Sequence, residues 1–170
     1  MKKLRLNKKI IKSIKEIKLL CLDVDGVMTD GGIYYCDDGI IARKYNIQDG
    51  FGIKRILNLG YEDAIITMSK EKNIDMRVKA LGIQHYFYNV NDKLNVVNKL
   101  AIKLGVSMSE IAFLGDDLND LDVMKKVGLP ISVFNAVKQV QETAFFSTTM
   151  SGGEGAIRQV CDLMIKYKDR

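Results

Sequence analysis

Two acids one residue apart, Asp23 and Asp25, close the apolar run of residues 19–22 and are followed at once by Gly26. A second acidic group, Asp116 and Asp117 with Asp120 behind them, closes the run 111–115. Two carboxylates about 4 Å apart repel by about 4 kcal/mol at an effective dielectric of roughly 20. If the two runs are neighbouring parallel strands, these acids converge at one edge of a sheet. The cluster must then take up protons or enclose a cation. The donors are all oxygen, which selects a hard ion. Mg²⁺ fits best, because it keeps waters and shares its shell with a phosphate. Asp23 and Asp25 can both lie near that ion yet point differently, one as a metal-bound nucleophile and the other free to move a proton. Gly26 permits a tight turn and a close backbone approach to a phosphate.

Such acids need rigid mounts, and the rest of the chain supplies them. "IKLLCLD" reads as a buried parallel strand. "GGIYYC" and "GIIARKY" flank a turn signal at Asp38-Gly39 and predict a β-hairpin, in which Asp37 and Asp38 are turn formers rather than metal ligands. "QDGFGIKRILNLG" predicts a helix opened by Asp49 and closed by Gly60. "EDAIITMS", "IQHYFYNV", "EIAFLGDD", "LPISV" and "FFSTT" predict further strands. "KEKNIDMRVKALG", "DKLNVVNKLAIKLG", "LNDLDVMKKVG", "AVKQVQETA" and "EGAIRQVCDLMIKY" predict the helices between and after them. Alternation of this kind demands right-handed crossovers and a mostly parallel sheet. The fold class expected is α/β, a Rossmann-like three-layer sandwich with a β-hairpin flap and no cap domain. In such sheets ligands bind beyond the carboxyl ends of the strands. The domain expectation is a basic amphipathic helix over residues 1–17 and a single domain over 18–170.

Composition narrows the function classes. The formal charge is +5, yet residues 1–18 hold eight of the 26 Lys and Arg and one of the 21 acids. The remaining chain therefore sets 18 bases against 20 acids. A slightly acidic body with a basic leader is a poor nucleic-acid footprint. Lysines interrupt every apolar run of the leader, so it reads neither as a secretory signal nor as a membrane span. Ile10, Ile14 and Ile17 at helical spacing predict a helix packed on the body with its lysines in water. Cys21, Cys36 and Cys161 lack metal or redox spacing and read as reduced cytoplasmic thiols. The single histidine, His85, excludes multi-histidine metal sites and reads as structural.

Four motifs in order, "DVDGV" after a strand, Thr67 after "AII", Lys93 opening a helix and "GDDLND" after a strand, resemble the haloacid dehalogenase superfamily. The resemblance implies that Asp23 attacks phosphorus to give an aspartyl-phosphate, while Asp25 protonates the leaving alcohol and then deprotonates water. Thr67 would bond a phosphoryl oxygen and Lys93 would offset its charge. Asp23, Asp116, Asp117 and the Asp25 carbonyl would hold Mg²⁺. An aspartate at position 25 points to a phosphatase rather than a dehalogenase or ATPase.

At finer grain, "DVDGVMTDGGIYY", "KYNIQDGFGIK", "VGLPISV" and "GGEGAIRQVCDLM" resemble the 3-deoxy-D-manno-octulosonate 8-phosphate phosphatases. These are uncapped Mg²⁺-dependent homotetramers in which a neighbouring subunit covers each site. That likeness implies substrate contacts at Asp25, Asn46, Ile47, Gln48, Asp49, Gly50, Lys54, Ser69, Arg77 and Lys93, and a small phosphorylated sugar acid as substrate. Asp49 can equally be a helix cap, Arg77 an exposed helix arginine and Asp120 a cap of its own helix. Two positions depart from the pattern: Met68-Ser69 stand where Gly-Arg is usual, and Gln48 where a cation is common. Phosphatases of nine-carbon, sialic-type acids share the skeleton, and a catalytically silent assembly domain has a similar fold. The silent domain predicts eroded acids, whereas here all of them stand.

Overall fold

The structure is a computed structural model that describes residues 4, 6–37, 39, 41–70 and 73–168. Among the described residues eight strands form: β1 (Leu19–Leu22), β2 (Tyr34–Tyr35), β3 (Ile41–Ala42), β4 (Glu62–Ile66), β5 (His85–Phe87), β6 (Ile111–Gly115), β7 (Leu129–Ser132) and β8 (Phe146–Ser147). The helices are α1 (Lys8–Glu16), α2 (Ile47–Asn58), α3 (Asn73–Leu81), α4 (Lys93–Leu104), α5 (Leu121–Met124), α6 (Lys138–Thr143) and α7 (Ala156–Tyr167). Six strands make one sheet in the order β5-β4-β1-β6-β7-β8, and every recorded pairing in it is parallel. β1, β6 and β7 are buried along their whole length. That burial explains why LLCL of β1, IAFLG of β6 and LPI of β7 are continuous apolar runs rather than alternating ones, β7 ending in the buried Ser132.

From β1 the chain steps to β4 and β5 on one side. It then crosses back to β6 and continues to β7 and β8 on the other. Right-handed crossovers put α2 and α3 on one face and α4, α5 and α6 on the opposite one. α7 packs on α2, and α1 on α7, completing the first face. Ile10, Ile14 and Ile17 supply the buried side of α1, while Lys8, Lys9, Lys12 and Lys15 stay exposed. The chain changes direction between β1 and β6, so the crevice at their carboxyl ends is the topological switch point.

Three local expectations change. The hairpin strands β2 and β3 are two residues each, and an isolated bridge between Thr29 and Tyr45 closes their base. Its turn passes through Gly39 at φ +80°, while Asp38 lies outside the described residues. The cap of α2 is Asn46 rather than Asp49: its Oδ1 accepts the amides of Gln48 and Asp49 at 2.7 and 3.2 Å. Residues 118–128 do not make one helix but a 3₁₀ turn over Leu118–Asp120 and the single turn of α5. The Asp120 side chain folds back into the interior to take up the Asp116 amide, which tightens that turn.

Candidate active site

Parallel register carries the acids to one edge. Leu22 pairs with Leu114 on one side and Ile65 on the other, so Asp23, Thr67 and Asp116 leave the sheet together. The Asp23 amide still donates to the Leu114 carbonyl at 3.2 Å. The chain then turns tightly, with the amides of Val27, Met28 and Thr29 all directed at the Val24 carbonyl. Gly26 sits at φ +90°, and a Cβ there would lie 2.0 Å from Asp116 Oδ2. Glycine is thus required both by the backbone and by the approach of the second acid. The "GGEG" segment braces this turn: a Cβ on Gly152 would lie 1.7 Å from the Gly26 carbonyl oxygen.

Buried charge fills the crevice. Lys93, at the first turn of α4, places Nζ 2.9 Å from Asp23 Oδ1 and 2.6 Å from Asp120 Oδ1. Asp120 Oδ2 accepts the amides of Asp116 at 2.9 Å and Asp117 at 3.4 Å. Burial works against the Lys93 charge, but Asp23 and Asp120 together raise its pKa above the ordinary value. Burial, opposed by Lys93 and reinforced by Asp120, pushes the Asp23 carboxyl up to about 6. Burial and then the charges of Asp23 and Asp120 push Asp116 up to about 8.

These acids fit a divalent ion. Carboxylate oxygens of Asp23, Asp116 and Asp120 lie within 4.8 Å of one another. Asp120 already spends both oxygens on Lys93 and the two amides, which leaves Asp23 and Asp116 for an ion. Asp116 Oδ1 is buried with no hydrogen-bond partner, a costly state for a carboxylate unless a cation meets it. Asp117 is exposed, and its Oδ1 accepts the Leu118 amide at 2.7 Å.

A cavity of about 200 Å³ opens above the cluster, lined by Asp23, Asp25, Thr67, Met68, Ser69, Asp116, Asp117 and Asn119. Thr67 is buried at the end of β4, and its Oγ1 accepts the Ser69 amide at 3.1 Å, which leaves its own O–H to donate. Arg43, just beyond β3, reaches under the rim of this cavity. Its Nε lies 2.6 Å from Asp25 Oδ1, and its Nη2 lies 3.3 Å from Asp25 Oδ2 and 2.7 Å from Ser69 Oγ.

The remaining candidates divide. Asn46 to Gly50 form the first turn of α2. Ile47 and Gln48 are exposed there, while Asp49 is buried and accepts the amides of Gly155 and Arg158 at 3.2 and 2.7 Å. Asp49 therefore ties α2 to α7, and burial raises its pKa despite those bonds. Arg77 Nη2 donates to the Asn46 carbonyl at 2.8 Å, and its Nε is buried without a partner. Lys54 is not gathered at the acids; it lines a separate cavity of about 430 Å³ with Asp63, Glu62 and Gln84. His85 lies 3.3 Å from Glu62 on the edge pair β4–β5.

Sequence reasoning missed Arg43, which carries no motif; only the hairpin's path brings it in. Asp120 stands in the acidic group read from the sequence, with a helix cap as its alternative, and its burial beside Lys93 is a tertiary fact.

Comparison with known proteins adds an independent line. A family described as haloacid dehalogenase-like hydrolase matches residues 52–160. The chain is 40% identical over 156 residues to the 3-deoxy-D-manno-octulosonate 8-phosphate phosphatase KdsC of Escherichia coli (strain K12), covering 92% of this chain and 83% of that one. It superimposes on the corresponding phosphatase of Moraxella catarrhalis, crystallised with magnesium, phosphate and KDO. The TM-score is 0.92 at 38% identity, over 95% of this chain and 92% of that one. The cobalt-bound phosphatase of Haemophilus influenzae gives a TM-score of 0.88 at 28% identity, over 92% and 91% of the two chains.

Proposed function

Since the chain belongs to the haloacid dehalogenase-like hydrolases and, within them, to the 3-deoxy-D-manno-octulosonate 8-phosphate phosphatase family, we propose that it releases phosphate from that eight-carbon sugar acid by way of Asp23. The observation that carries this reading is the Asp23–Lys93–Asp120 array beside the orphaned Asp116 carboxylate at the sheet's switch point.

In the reaction proposed, an oxygen of Asp23 attacks phosphorus in line with the leaving alcohol, and an aspartyl-phosphate forms. Lys93 fixes the Asp23 carboxylate and faces the phosphoryl oxygens with positive charge. Thr67 donates its hydroxyl proton to one of those oxygens. Asp25 hands a proton to the departing alkoxide and later takes one from the water that opens the acyl phosphate. Asp23, Asp116 and the Asp25 carbonyl, with Asp117 directly or through water, would hold the Mg²⁺, which when bound offsets their charge and polarises the phosphoryl group.

Arg77 supports recognition of the sugar-acid carboxylate, because a buried guanidinium N–H without a partner favours an anion close by. The first turn of α2 offers Asn46 to Gly50 for the remaining polar contacts, with Ser69 at the phosphate end. Lys54 contacts substrate in this reading only by leaving its own cavity.

A 200 Å³ cavity holds a phosphoryl group and an ion but not an eight-carbon acid, since enclosing sites run from about 300 Å³ upward. The sugar therefore extends over the rim, and a homotetramer completes the enclosure. Exposed Tyr34, Tyr35, Ile47 and Phe51, at 57, 78, 84 and 56% of full exposure, support a subunit contact there. The free thiols of Cys21, Cys36 and Cys161 support a cytoplasmic location.

The test compares kcat/KM for 3-deoxy-D-manno-octulosonate 8-phosphate and a sialic-type 9-phosphate, each with Mg²⁺ and with chelator. Faster Mg²⁺-dependent release from the 8-phosphate is expected. Preference for the 9-phosphate overturns the substrate assignment, and chelator-resistant turnover overturns the metal site.

A further inference from the structure

The hairpin sends one charged side chain into the site. The Arg43 side chain is only 1% exposed, whereas Asp25 keeps 31% exposure toward the cavity. Its guanidinium makes a fork against the carboxylate, Nε to Oδ1 at 2.6 Å and Nη2 to Oδ2 at 3.3 Å. The same Nη2 holds Ser69 Oγ at 2.7 Å. A fork of this kind fixes the plane of a carboxylate as well as its position. Each Asp25 oxygen retains a further lone pair after these bonds, so the carboxylate still presents an acceptor or a proton to the cavity. Asp25 itself lies on the turn after β1, Ser69 on the loop after β4 and Arg43 after β3. One side chain thus locks three segments that the sheet alone does not register.

We infer that Arg43 is a positioning residue for Asp25: it aims the carboxyl group at the oxygen of the departing alcohol, and so couples the seating of the hairpin to proton delivery. The inference rests on the proposed phosphatase reading and assigns a role to a residue outside its motifs. In the step concerned, the bond from Asp23 oxygen to phosphorus forms and the bond from phosphorus to the alcohol oxygen breaks. The proton on Asp25 moves to that oxygen, so no free alkoxide is expelled. A sugar alcohol needs this proton, whereas a nitrophenolate leaves without it. A lysine in place of Arg43 keeps the charge but cannot reproduce the fork.

The experiment compares Arg43→Lys with the unaltered chain on the sugar-acid phosphate and on nitrophenyl phosphate, both with saturating Mg²⁺, after thermal melts show the variant folded. A positioned general acid contributes about 10²–10⁴-fold. Because Asp25 also serves as base when the common aspartyl-phosphate breaks down, the readout is leaving-group release in a single turnover with enzyme in excess: we expect release of the sugar alcohol to slow by about 10²-fold and release of nitrophenolate by less than about threefold. Asp25→Asn should show the same selectivity in that step with a larger loss. Equal losses in the two release rates, or undiminished release of the sugar alcohol, overturn the inference. Should Arg43→Lys unfold, Arg43→Gln, which can still bond one Asp25 oxygen but makes no charged fork, is read in the same way. A loss confined to release of the sugar alcohol then supports the role, and an equal effect on both esters overturns it. If the unaltered chain hydrolyses the aryl ester and not the sugar ester, the functional reading fails rather than the role of Arg43.

Discussion

Replacing Asp120 tests the charge architecture without touching the nucleophile. Asp120 is fully buried, and its two oxygens hold Lys93 Nζ at 2.6 Å and the Asp116 amide at 2.9 Å. Removing one partner of a buried pair costs about 3–5 kcal/mol, because the other charge is left uncompensated. In Asp120→Ala, Lys93 keeps only Asp23, and the Asp116 amide loses its acceptor. At about 2–4 °C per kcal/mol for a chain of this size, the melting midpoint should fall by roughly 6–20 °C. The ammonium is then drawn wholly onto Asp23 and masks the attacking oxygen, and Asp116 loses its anchor, so kcat should drop by about 10²-fold or more. Asp120→Asn keeps an acceptor for the amide and loses the charge, and should lie between the two. The assays are differential scanning calorimetry and phosphate release under saturating substrate. If Asp120→Ala melts within about 2 °C of the unaltered chain and turns over normally, on the same scale, Lys93 is not held by this array and the charge balance drawn for it is wrong.

Other outcomes follow from the same geometry. Asp23 and Asp116 titrate at about 6 and 8 in the folded chain, above the ordinary 3.8, so the metal-free fold holds more protons than the unfolded chain in that window. Its stability should therefore fall as pH rises from about 4 to 8, and the rise in melting midpoint on adding Mg²⁺ should be larger at pH 8 than at pH 5; equal gains at both would contradict the metal assignment. Asp63 is buried with Oδ2 unpartnered, and burial followed by the charge of Glu62 pushes it up to about 7. Asp63→Asn should accordingly stabilise the fold at pH 8 by about 1–3 kcal/mol, with little change at pH 4, as read from urea midpoints. Gly26→Ala forces a Cβ to 2.0 Å from Asp116 Oδ2 at a positive φ. It should weaken Mg²⁺ binding at least tenfold by calorimetric titration, an order-of-magnitude figure for a displaced acid in an ion's shell.

The sheet and the two acid clusters were legible because buried parallel strands must be apolar throughout, and paired acids set at their ends are costly unless they serve a site. "LLCLDVDG" and "IAFLGDD" each carry both halves of that pattern. Lys93 was legible from its motif, and its burial fits the reading. What stayed hidden depends on contacts between distant segments. Asp49 looks like a helix opener, yet Asn46 caps α2 and Asp49 serves α7, over one hundred residues further along the chain. Local sequence supports either role equally, and only the docking of the two helices decides. Arg43 sits in a hairpin of two-residue strands whose alternation is too short to say where a side chain points. Lys54 lies about two turns along α2 from the edge that holds the acids, a displacement that a contact carried over from a resemblance does not reveal.

If Asp23 is the nucleophile, it carries the phosphoryl group during turnover. Rapid acid quench of the chain with phosphate-labelled substrate and Mg²⁺, followed by borohydride reduction and peptide mass mapping, reads this out residue by residue. Homoserine is expected at position 23, and its loss when Mg²⁺ is withheld. Reduction at any other acid, or steady turnover with position 23 unmodified, would contradict the covalent route.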